Sequence, residues 1–200
     1  MEAAATITLN KSGISKVLLE TSGVLSRMAQ DTSTIEKIAE ALVAAYRKGN
    51  KMVLFGNGGS ASDAQHLATE LLGGFTNHNR KSLPALALTT DTSALTAIGN
   101  DYSFDDVFSR QVEAMVNPGD VVIAISTSGN SKNVLKGALA ARARKATVVG
   151  FTGANGGKLK AECDICLCVP STDTPRVQEA HITVGHIVCA IVEQAVAVPA

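Results

Sequence analysis

The sequence predicts an α/β fold in three layers, with a five-stranded parallel sheet flanked by helices. After residue 51, short apolar and β-branched runs alternate with helical stretches, a pattern typical of strands that are buried on both faces. No linker, repeat or low-complexity tract divides the 200 residues, a length suited to one domain with its own core. We therefore expect a single domain over residues 1–200, with residues 1–50 as an N-terminal helical extension.

Each element follows from local spacing. Apolar residues recur at helical intervals over 14–25 and 35–45, and Thr34 is a candidate N-cap of the second helix, although Lys37 replaces the carboxylate of a capping box. Strands are predicted at 52–55, 83–88, 121–125, 147–151 and 165–169. Helices are predicted near 60–73, 103–116, 131–144 and 155–161, and a long last helix over 174–197.

Charge and hydropathy exclude several classes of protein. Eighteen basic side chains balance eighteen acidic ones, so no net charge attracts nucleic acid or an anionic membrane. No apolar stretch approaches the ~20 residues of a transmembrane helix. Residues 1–6 lack the basic and apolar regions of a signal peptide. We expect a cytoplasmic protein that binds neither nucleic acid nor membrane.

Three of the four cysteines cluster, and Cys163-Asp164-Ile165-Cys166 has the CxxC spacing of redox or zinc sites. The segment from Cys163 to Val169, however, has the composition of a buried strand, in which thiols behave as small apolar groups. No second CxxC accompanies the first. We interpret these cysteines as structural.

Two loops at predicted strand ends suit a phosphate. The first strand runs into Gly56-Asn57-Gly58-Gly59-Ser60, here called the glycine loop, where backbone N–H groups at a helix start can face an anion. Its spacing also satisfies a relaxed dinucleotide fingerprint, but the acidic residue expected about 20 positions later is absent and Asp91 comes too late. A nicotinamide enzyme is therefore disfavoured. The glycine-rich segment 153–159 lacks the glycine and hydroxyl positions of a P-loop.

The third predicted strand ends in a second loop, here called the hydroxyl loop: Ser126-Thr127-Ser128-Gly129-Asn130-Ser131. Four hydroxyls and a glycine before a helix can converge on a phosphate monoester. A Ser/Thr-rich turn with ordinary helix capping is the alternative, and it explains only one or two of the hydroxyls. We favour phosphate binding.

Two predicted helices carry candidate metal ligands. His66 and Glu70, four residues apart, share one helix face and could hold a metal or a proton, although a surface ion pair has the same spacing. The last helix offers Gln178, Glu179, His181 and His186. His186 lies in an apolar setting that also suits a core histidine. Glu179, seven residues before His186, shares its face, whereas Gln178 is rotated by about 80°; spacing therefore favours Glu179.

Four segments carry a family resemblance: Gly56-Asn57-Gly58-Gly59-Ser60-x-x-Asp63-Ala64-x-His66, Gly99-Asn100-Asp101, the hydroxyl loop, and Gln178-Glu179-x-His181 with His186. They resemble the sugar isomerase (SIS) domain and, more narrowly, the phosphoheptose isomerases. The similarity covers essentially the whole chain and implies an SIS-type fold. The hydroxyl loop alone marks the superfamily. The combination of His66, Glu70, Gln178 and His186 is more specific.

The resemblance implies roles for individual residues. It makes His66, Glu70, Gln178 and His186 the ligands of one Zn²⁺ per subunit, with Gln178 in place of Glu179, and makes Glu70 and His186 the catalytic pair. The implied phosphate ligands are Ser126, Thr127, Ser128 and Ser131. Glu70 and Gln178 would also contact the sugar, together with Asn57, Gly58, Gly59, Ser60, Asn100 and Asp101.

The implied reaction converts sedoheptulose 7-phosphate to D-glycero-D-manno-heptose 7-phosphate, the first step of heptose synthesis for lipopolysaccharide or other surface glycans, in a homotetramer. One alternative is a non-catalytic SIS-domain adaptor that binds the replication initiator DnaA. Such adaptors lack the acidic residue and the histidine that match Glu70 and His186. The other alternative is an isomerase of a different sugar phosphate. Asp173 and Arg176, in the segment before the last helix, receive no role; Pro175 suits the first turn of that helix.

Overall fold

The computed structural model describes residues 11–196 as an α/β fold on one five-stranded sheet. The strand order is β2-β1-β3-β4-β5, and all neighbours are parallel. This confirms the predicted fold class. Residues 1–6 and residue 197, on which predictions were made, lie outside the described residues. The strands are β1 (Met52–Gly56), β2 (Ala85–Ala87), β3 (Val121–Ile125), β4 (Thr147–Gly153) and β5 (Ile165–Val169).

Helices cover both faces of the sheet. The helices are α1 (Lys11–Met28), α2 (Ser33–Arg47), α3 (Gly59–Gly73), α4 (Thr92–Asp101), α5 (Ser109–Met115), α6 (Lys132–Ala143) and α7 (Thr174–Val196). Successive side chains of β1 point to opposite sides: Met52 and Leu54 join a core with α2, α3 and α7, while Val53 and Phe55 join a core with α5 and α6. The two buried cores give the three predicted layers.

The region before β3 differs from the prediction. The helix predicted over 103–116 is a 3-10 turn, Phe104–Asp106, followed by the short α5, and the unpredicted α4 precedes both. No residue of α4 is fully buried, and its apolar stripe is short, with Leu95 and Ile98 packed against the core. Its local signal is Asp91, whose side chain accepts a hydrogen bond from the Ala94 N–H (2.9 Å) as an N-cap.

Three smaller predictions were also wrong. The helix predicted near 155–161 is only a 3-10 turn, Leu159–Glu162, because Gly156 and Gly157 adopt positive φ angles of 82° and 56°. Thr34 lies inside α2, which begins at Ser33 with Thr32 at the N-cap position. Strand β2 is shorter than predicted.

The cysteines are all free thiols. Cys163 precedes β5 instead of opening it, and Cys163, Cys166 and Cys168 are half-buried, so the expectation of a fully buried strand from residue 163 was wrong. The sulfur atoms of Cys166 and Cys168 lie 3.7 Å apart. Within residues 11–196, no helix has the length and apolar character required to cross a membrane.

Candidate active site

The sheet brings the two predicted loops together. Strands β1 and β3 are parallel neighbours, with Gly56 opposite Ile125, so the glycine loop and the hydroxyl loop leave the same edge side by side. The side-chain amides of Asn57 and Asn133 exchange two hydrogen bonds of 2.9 Å each and join the first loop to the start of α6. The two loops therefore form one surface at the carboxyl edge, where open α/β sheets bind ligands.

Close packing explains the glycines of the first loop. A side chain at Gly56 would meet the Ile125 carbonyl oxygen (2.9 Å from the added Cβ), and one at Gly59 would overlap the side-chain amide of Gln178. Gly58 has a φ of 55° and is exposed. The side chain of Ser60 is buried, so of the predicted sugar contacts in this loop it is the one turned away from solvent.

In the hydroxyl loop, the side chain at the N-cap position of α6 makes no capping hydrogen bond. Ser131 precedes α6 at the N-cap position, yet its side chain makes no capping hydrogen bond. Its hydroxyl instead lies 3.1 Å from that of the buried Ser126. The Ser128 hydroxyl is exposed and accepts a hydrogen bond from the Asn130 N–H (3.2 Å), and Thr127 is half-buried. Helix capping therefore does not account for Ser131, whereas the Ser128 contact is of the kind that a Ser/Thr-rich turn makes. Phosphate binding by this loop stays a prediction.

His66, Glu70 and His186 converge where α3 runs beside α7. The Nε2 atom of His66 lies 2.9 Å from Glu70 Oε1 and 3.2 Å from His186 Nε2. One ligand atom from each residue lies within 4.8 Å of the other two. The side chain of His66 is 46% exposed and that of Glu70 is 20% exposed, so solvent reaches the cluster. Two imidazole nitrogens and a carboxylate facing one another can share a proton or bind a cation.

The Glu179 prediction from spacing was wrong. Its carboxylate accepts hydrogen bonds from Arg176 (2.7 and 2.6 Å) and from the Thr21 hydroxyl of α1 (2.7 Å), away from His186. Gln178, by contrast, lies against Gly59 at the start of α3, on the side of α7 from which His186 and Cys189 also reach α3. We call this contact between α3 and α7 the seam; spacing along α7 alone did not show which of the two residues faces it.

Two other predicted site residues are not hydrogen-bonded to the glycine loop or the hydroxyl loop within residues 11–196. Asn100 and Asp101 end α4, both exposed, and the Asn100 amide donates to the Asp101 carboxylate (2.7 Å). Among residues 11–196, no hydrogen bond joins either side chain to the two loops. His181 belongs to the core: its Nε2 lies 3.1 Å from the Thr152 carbonyl oxygen, and burial lowers its pKa to about 4.

Sequence reasoning missed two neighbours of the site. Asn133 holds the glycine loop through Asn57, and its position just after the hydroxyl loop was an available signal. The ring of Phe75 stacks on His186, with centroids 5.4 Å apart. Phe75 follows the end of α3 at Gly73, outside any periodic pattern, and only the tertiary structure brings it to the histidine.

A glycine loop and a hydroxyl loop at the carboxyl edge of a five-stranded parallel sheet are the features by which the sequence resembled the SIS domain. The family model of the SIS domain matches residues 8–153 of this chain, which is therefore an SIS-domain protein.

More similar relatives narrow the class. The phosphoheptose isomerase of Rhodospirillum rubrum is 54% identical over 169 residues, covering 84% of this chain and 89% of the relative. That of Roseiflexus sp. strain RS-1 is 58% identical over 160 residues, covering 80% and 81%. The structure of phosphoheptose isomerase from Neisseria gonorrhoeae superimposes with a TM-score of 0.86 at 41% identity, covering 92% of this chain and 98% of that one. The chain belongs to the phosphoheptose isomerase family, a family of enzymes, as the sequence predicted. The adaptor alternative is not favoured.

Proposed function

We propose that this chain converts sedoheptulose 7-phosphate to D-glycero-D-manno-heptose 7-phosphate, a ketose–aldose isomerisation. The observation that carries the proposal is the convergence of His66, Glu70 and His186, with ligand atoms within 4.8 Å of one another, in a chain of the phosphoheptose isomerase family. The neighbouring hydroxyl loop supports a phosphorylated substrate.

The reaction moves a carbonyl from C2 to C1 without net oxidation. A base removes a proton from C1, the resulting enediolate takes a proton at C2, and a hydroxyl proton is transferred between O1 and O2. We assign the carbon-bound protons to the Glu70 carboxylate and the oxygen-bound protons to the His186 imidazole. Both groups lie on rigid helices and are reached by solvent, as a substrate-binding acid–base pair requires.

The residues present fit a zinc ion. Imidazole nitrogens and carboxylate oxygens are the usual ligands of Zn²⁺, and His66, Glu70 and His186 supply three of them from one small volume. Gln178, which extends from α7 toward the start of α3, would be the fourth ligand, with one ion per subunit. When bound, the ion supplies a Lewis acid that polarises a carbonyl.

We assign the phosphate to the hydroxyl loop, through Ser126, Thr127, Ser128 and Ser131. The sugar chain is assigned to the glycine loop, from Asn57 to Ser60, with Asn100, Asp101, Glu70 and Gln178. The adjacency of the two loops supports this assignment.

We further propose a cytoplasmic homotetramer, with residues 1–200 as one SIS domain, that serves heptose synthesis for lipopolysaccharide or other surface glycans. The exposed apolar side chains of Leu18 and Leu19 on α1 and of Ile187 and Ile191 on α7 support association between subunits.

A turnover assay tests the proposal. Purified protein is incubated with sedoheptulose 7-phosphate, and NMR follows the appearance of an aldoheptose phosphate, with and without a metal chelator. We expect turnover that is lost on chelation and restored by zinc. Folded, zinc-loaded protein that leaves this substrate unchanged would contradict the proposal, and a panel of other ketose and amino-sugar phosphates would then test the alternative substrate class.

A further inference from the structure

We propose that Arg80 and Glu193 are positioning residues: their buried ion pair fixes α3 against α7 and thereby holds Glu70 and His186 in register for the reaction. Neither residue takes part in the chemistry assigned above. The inference rests on the proposed roles of Glu70 and His186, and extends them to a pair of charges that the sequence did not single out.

The pair is fully enclosed. Arg80 Nε donates to Glu193 Oε2 over 2.7 Å, and the two side chains are 1% and 2% exposed. Arg80 comes from the segment after α3, and Glu193 from α7, two turns beyond His186. The contact therefore joins the two elements that carry the candidate acid and base.

The remaining donors of Arg80 bind the end of α3. Its guanidinium donates to the carbonyl oxygens of Glu70 (2.9 Å), Leu71 (2.8 Å) and Lys81 (2.9 Å). The last carbonyls of a helix lack partners within the helix, and the planar guanidinium fork suits several of them at once. Arg80 thus binds the backbone of Glu70 itself and restricts movement of the turn that presents its carboxylate.

Glu193 holds the segment that packs on His186. Its carboxylate accepts the backbone N–H groups of Phe75 (2.8 Å), Thr76 (2.8 Å) and Asn77 (2.9 Å), as well as the Thr76 hydroxyl (2.7 Å). Burial alone would raise the pKa of Glu193, but the hydrogen bonds from Thr76 and Arg80 outweigh it and hold this pKa well below the ordinary value. Phe75 in turn stacks on the His186 ring, so Glu193 fixes the packing of the imidazole.

Stability alone does not explain such a pair. Replacing both partners of a buried ion pair by apolar residues of similar volume is often neutral or stabilising. Apolar residues, however, cannot form hydrogen bonds to particular backbone N–H and carbonyl groups. Here those groups belong to Glu70 and to the neighbour of His186.

The test compares two double variants. Arg80→Met/Glu193→Leu removes the pair without leaving an orphaned charge. Lys51→Met/Asp120→Leu removes a second ion pair, whose Lys51 Nζ and Asp120 Oδ2 atoms are 2.6 Å apart, at the starts of β1 and β3 and without a hydrogen bond to α3 or α7. Three readouts are taken beside the melting temperature: kcat and KM, the dissociation constant of Zn²⁺ by chelator competition, and the NMR signals of the His186 imidazole.

We expect the Arg80/Glu193 variant to lose at least about tenfold in kcat and in zinc affinity, with KM changed much less, because replacing residues that orient metal ligands typically has an effect of this size. The His186 signals should move, because the stacked Phe75 ring is released. The Lys51/Asp120 variant should change only the melting temperature. Arg80→Lys, which keeps the charge with fewer donors, should fall between the parent and the double variant, and it decides the question if the double variant does not fold.

Folded Arg80 or Glu193 variants with parental kcat, zinc affinity and His186 signals would overturn the proposal and leave the pair a structural one. The zinc and NMR readouts do not depend on the substrate. A failure of the proposed isomerisation therefore remains distinguishable from a failure of this inference.

Discussion

The amino edge of the sheet differs from the hydroxyl loop and the α3–α7 seam in how it uses polar side chains. At the amino edge, the buried Asp120 accepts hydrogen bonds from the Lys51 N–H (3.1 Å), the Lys51 ammonium (2.6 Å) and the Asn117 N–H (2.8 Å), and so joins the starts of β1 and β3. In the seam, solvent reaches the side chain of His66, and in the hydroxyl loop the Ser131 hydroxyl lies against that of Ser126 instead of capping a helix. A polar group without a structural role is a better marker of function than one whose hydrogen bonds hold the fold together.

The difference is clearest for one residue at a helix start and for one pair of histidines. Ser131 stands at the start of α6 without capping it, and the two imidazole nitrogens of His66 and His186 face each other at 3.2 Å. At most one of those nitrogens can donate to the other. Such arrangements contribute little to folding and are what a bound phosphate, proton or cation would complete. The variants below change one of these regions at a time.

The largest expected effect is that of Glu70→Gln in the α3–α7 seam. The amide has nearly the same shape but cannot accept a carbon-bound proton, so we expect kcat to fall by about 10²–10⁴-fold, the usual range for a general base. Turnover is followed by NMR, with the melting temperature as a check on folding.

Glu179→Gln is the matched control, because the Glu179 carboxylate bonds to Arg176 and Thr21 instead of the histidines. It should keep the parental kcat. A Glu70→Gln enzyme of full activity would remove Glu70 from the proposed mechanism.

The second effect concerns the hydroxyl loop. Gly129 has a φ of 64°, and an added Cβ would overlap the Gly156 carbonyl oxygen, so Gly129→Ala must shift the loop. We expect KM for the phosphorylated substrate to rise at least about tenfold, equivalent to losing ~1.4 kcal/mol of binding, together with lower stability.

Gly49→Ala, on the amino side of β1, is the control for backbone strain alone. Gly49 has a φ of 79° but open space around its Cα, so the change should cost about 1 kcal/mol of stability with KM unchanged. Equal KM values for the two variants would contradict the phosphate assignment.

Sequence predicted the parts that depend on local pattern. The apolar runs predicted all five strands, because short, continuous apolar runs are typical of strands that are buried on both faces. The glycine and hydroxyl loops were recognised because they follow β1 and β3 directly. The helical spacing of His66 and Glu70 was sufficient to pair them. The prediction missed α4, whose local signals, the N-cap Asp91 and the pair Leu95 and Ile98, are weaker than the long apolar patterns of the other helices.

The sequence did not predict features that depend on contacts between separate helices and loops. The choice between Glu179 and Gln178 depends on which helices pack around α7: Gln178 lies against Gly59 of α3, whereas Glu179 bonds to Thr21 of α1. Spacing within one helix does not show which neighbour lies on which side. Phe75, Arg80 and Glu193 are far apart in the chain or outside any period, so only the packed structure shows that they surround the site.

The third effect is on stability only. In Asp120→Asn an amide group replaces one carboxylate oxygen, and the Oδ2 atom of Asp120 accepts both the Lys51 ammonium and the Asn117 N–H, so two donors lose their acceptor. We expect about 1–3 kcal/mol of destabilisation by urea unfolding, with kcat and KM at parental values. Loss of kcat in the folded variant would show that the amino edge is coupled to the α3–α7 seam and would weaken the contrast drawn between them.

The smallest effect is the pH dependence contributed by His181, a carboxyl-edge histidine that the fold does enclose. Above about pH 6.5 its imidazole is neutral in both the folded and the unfolded chain. Below that value the unfolded chain takes up a proton that the folded chain, with a pKa of about 4, does not, so stability falls as the pH falls. Between pH 7.5 and 5.5 this loss is about 1 kcal/mol.

Urea unfolding of the parent and of His181→Gln over the same pH range isolates the contribution of His181 to the pH dependence of stability, because the other titrating groups are common to both chains. The parent should lose about 1 kcal/mol more than the variant as the pH falls from 7.5 to 5.5. Identical slopes would mean that His181 is protonated as easily in the folded chain as in the unfolded one. In that case its burial beneath Thr152 would not separate it from the solvent-reached histidines of the seam, and enclosure would no longer distinguish the histidines of the fold from those of the site.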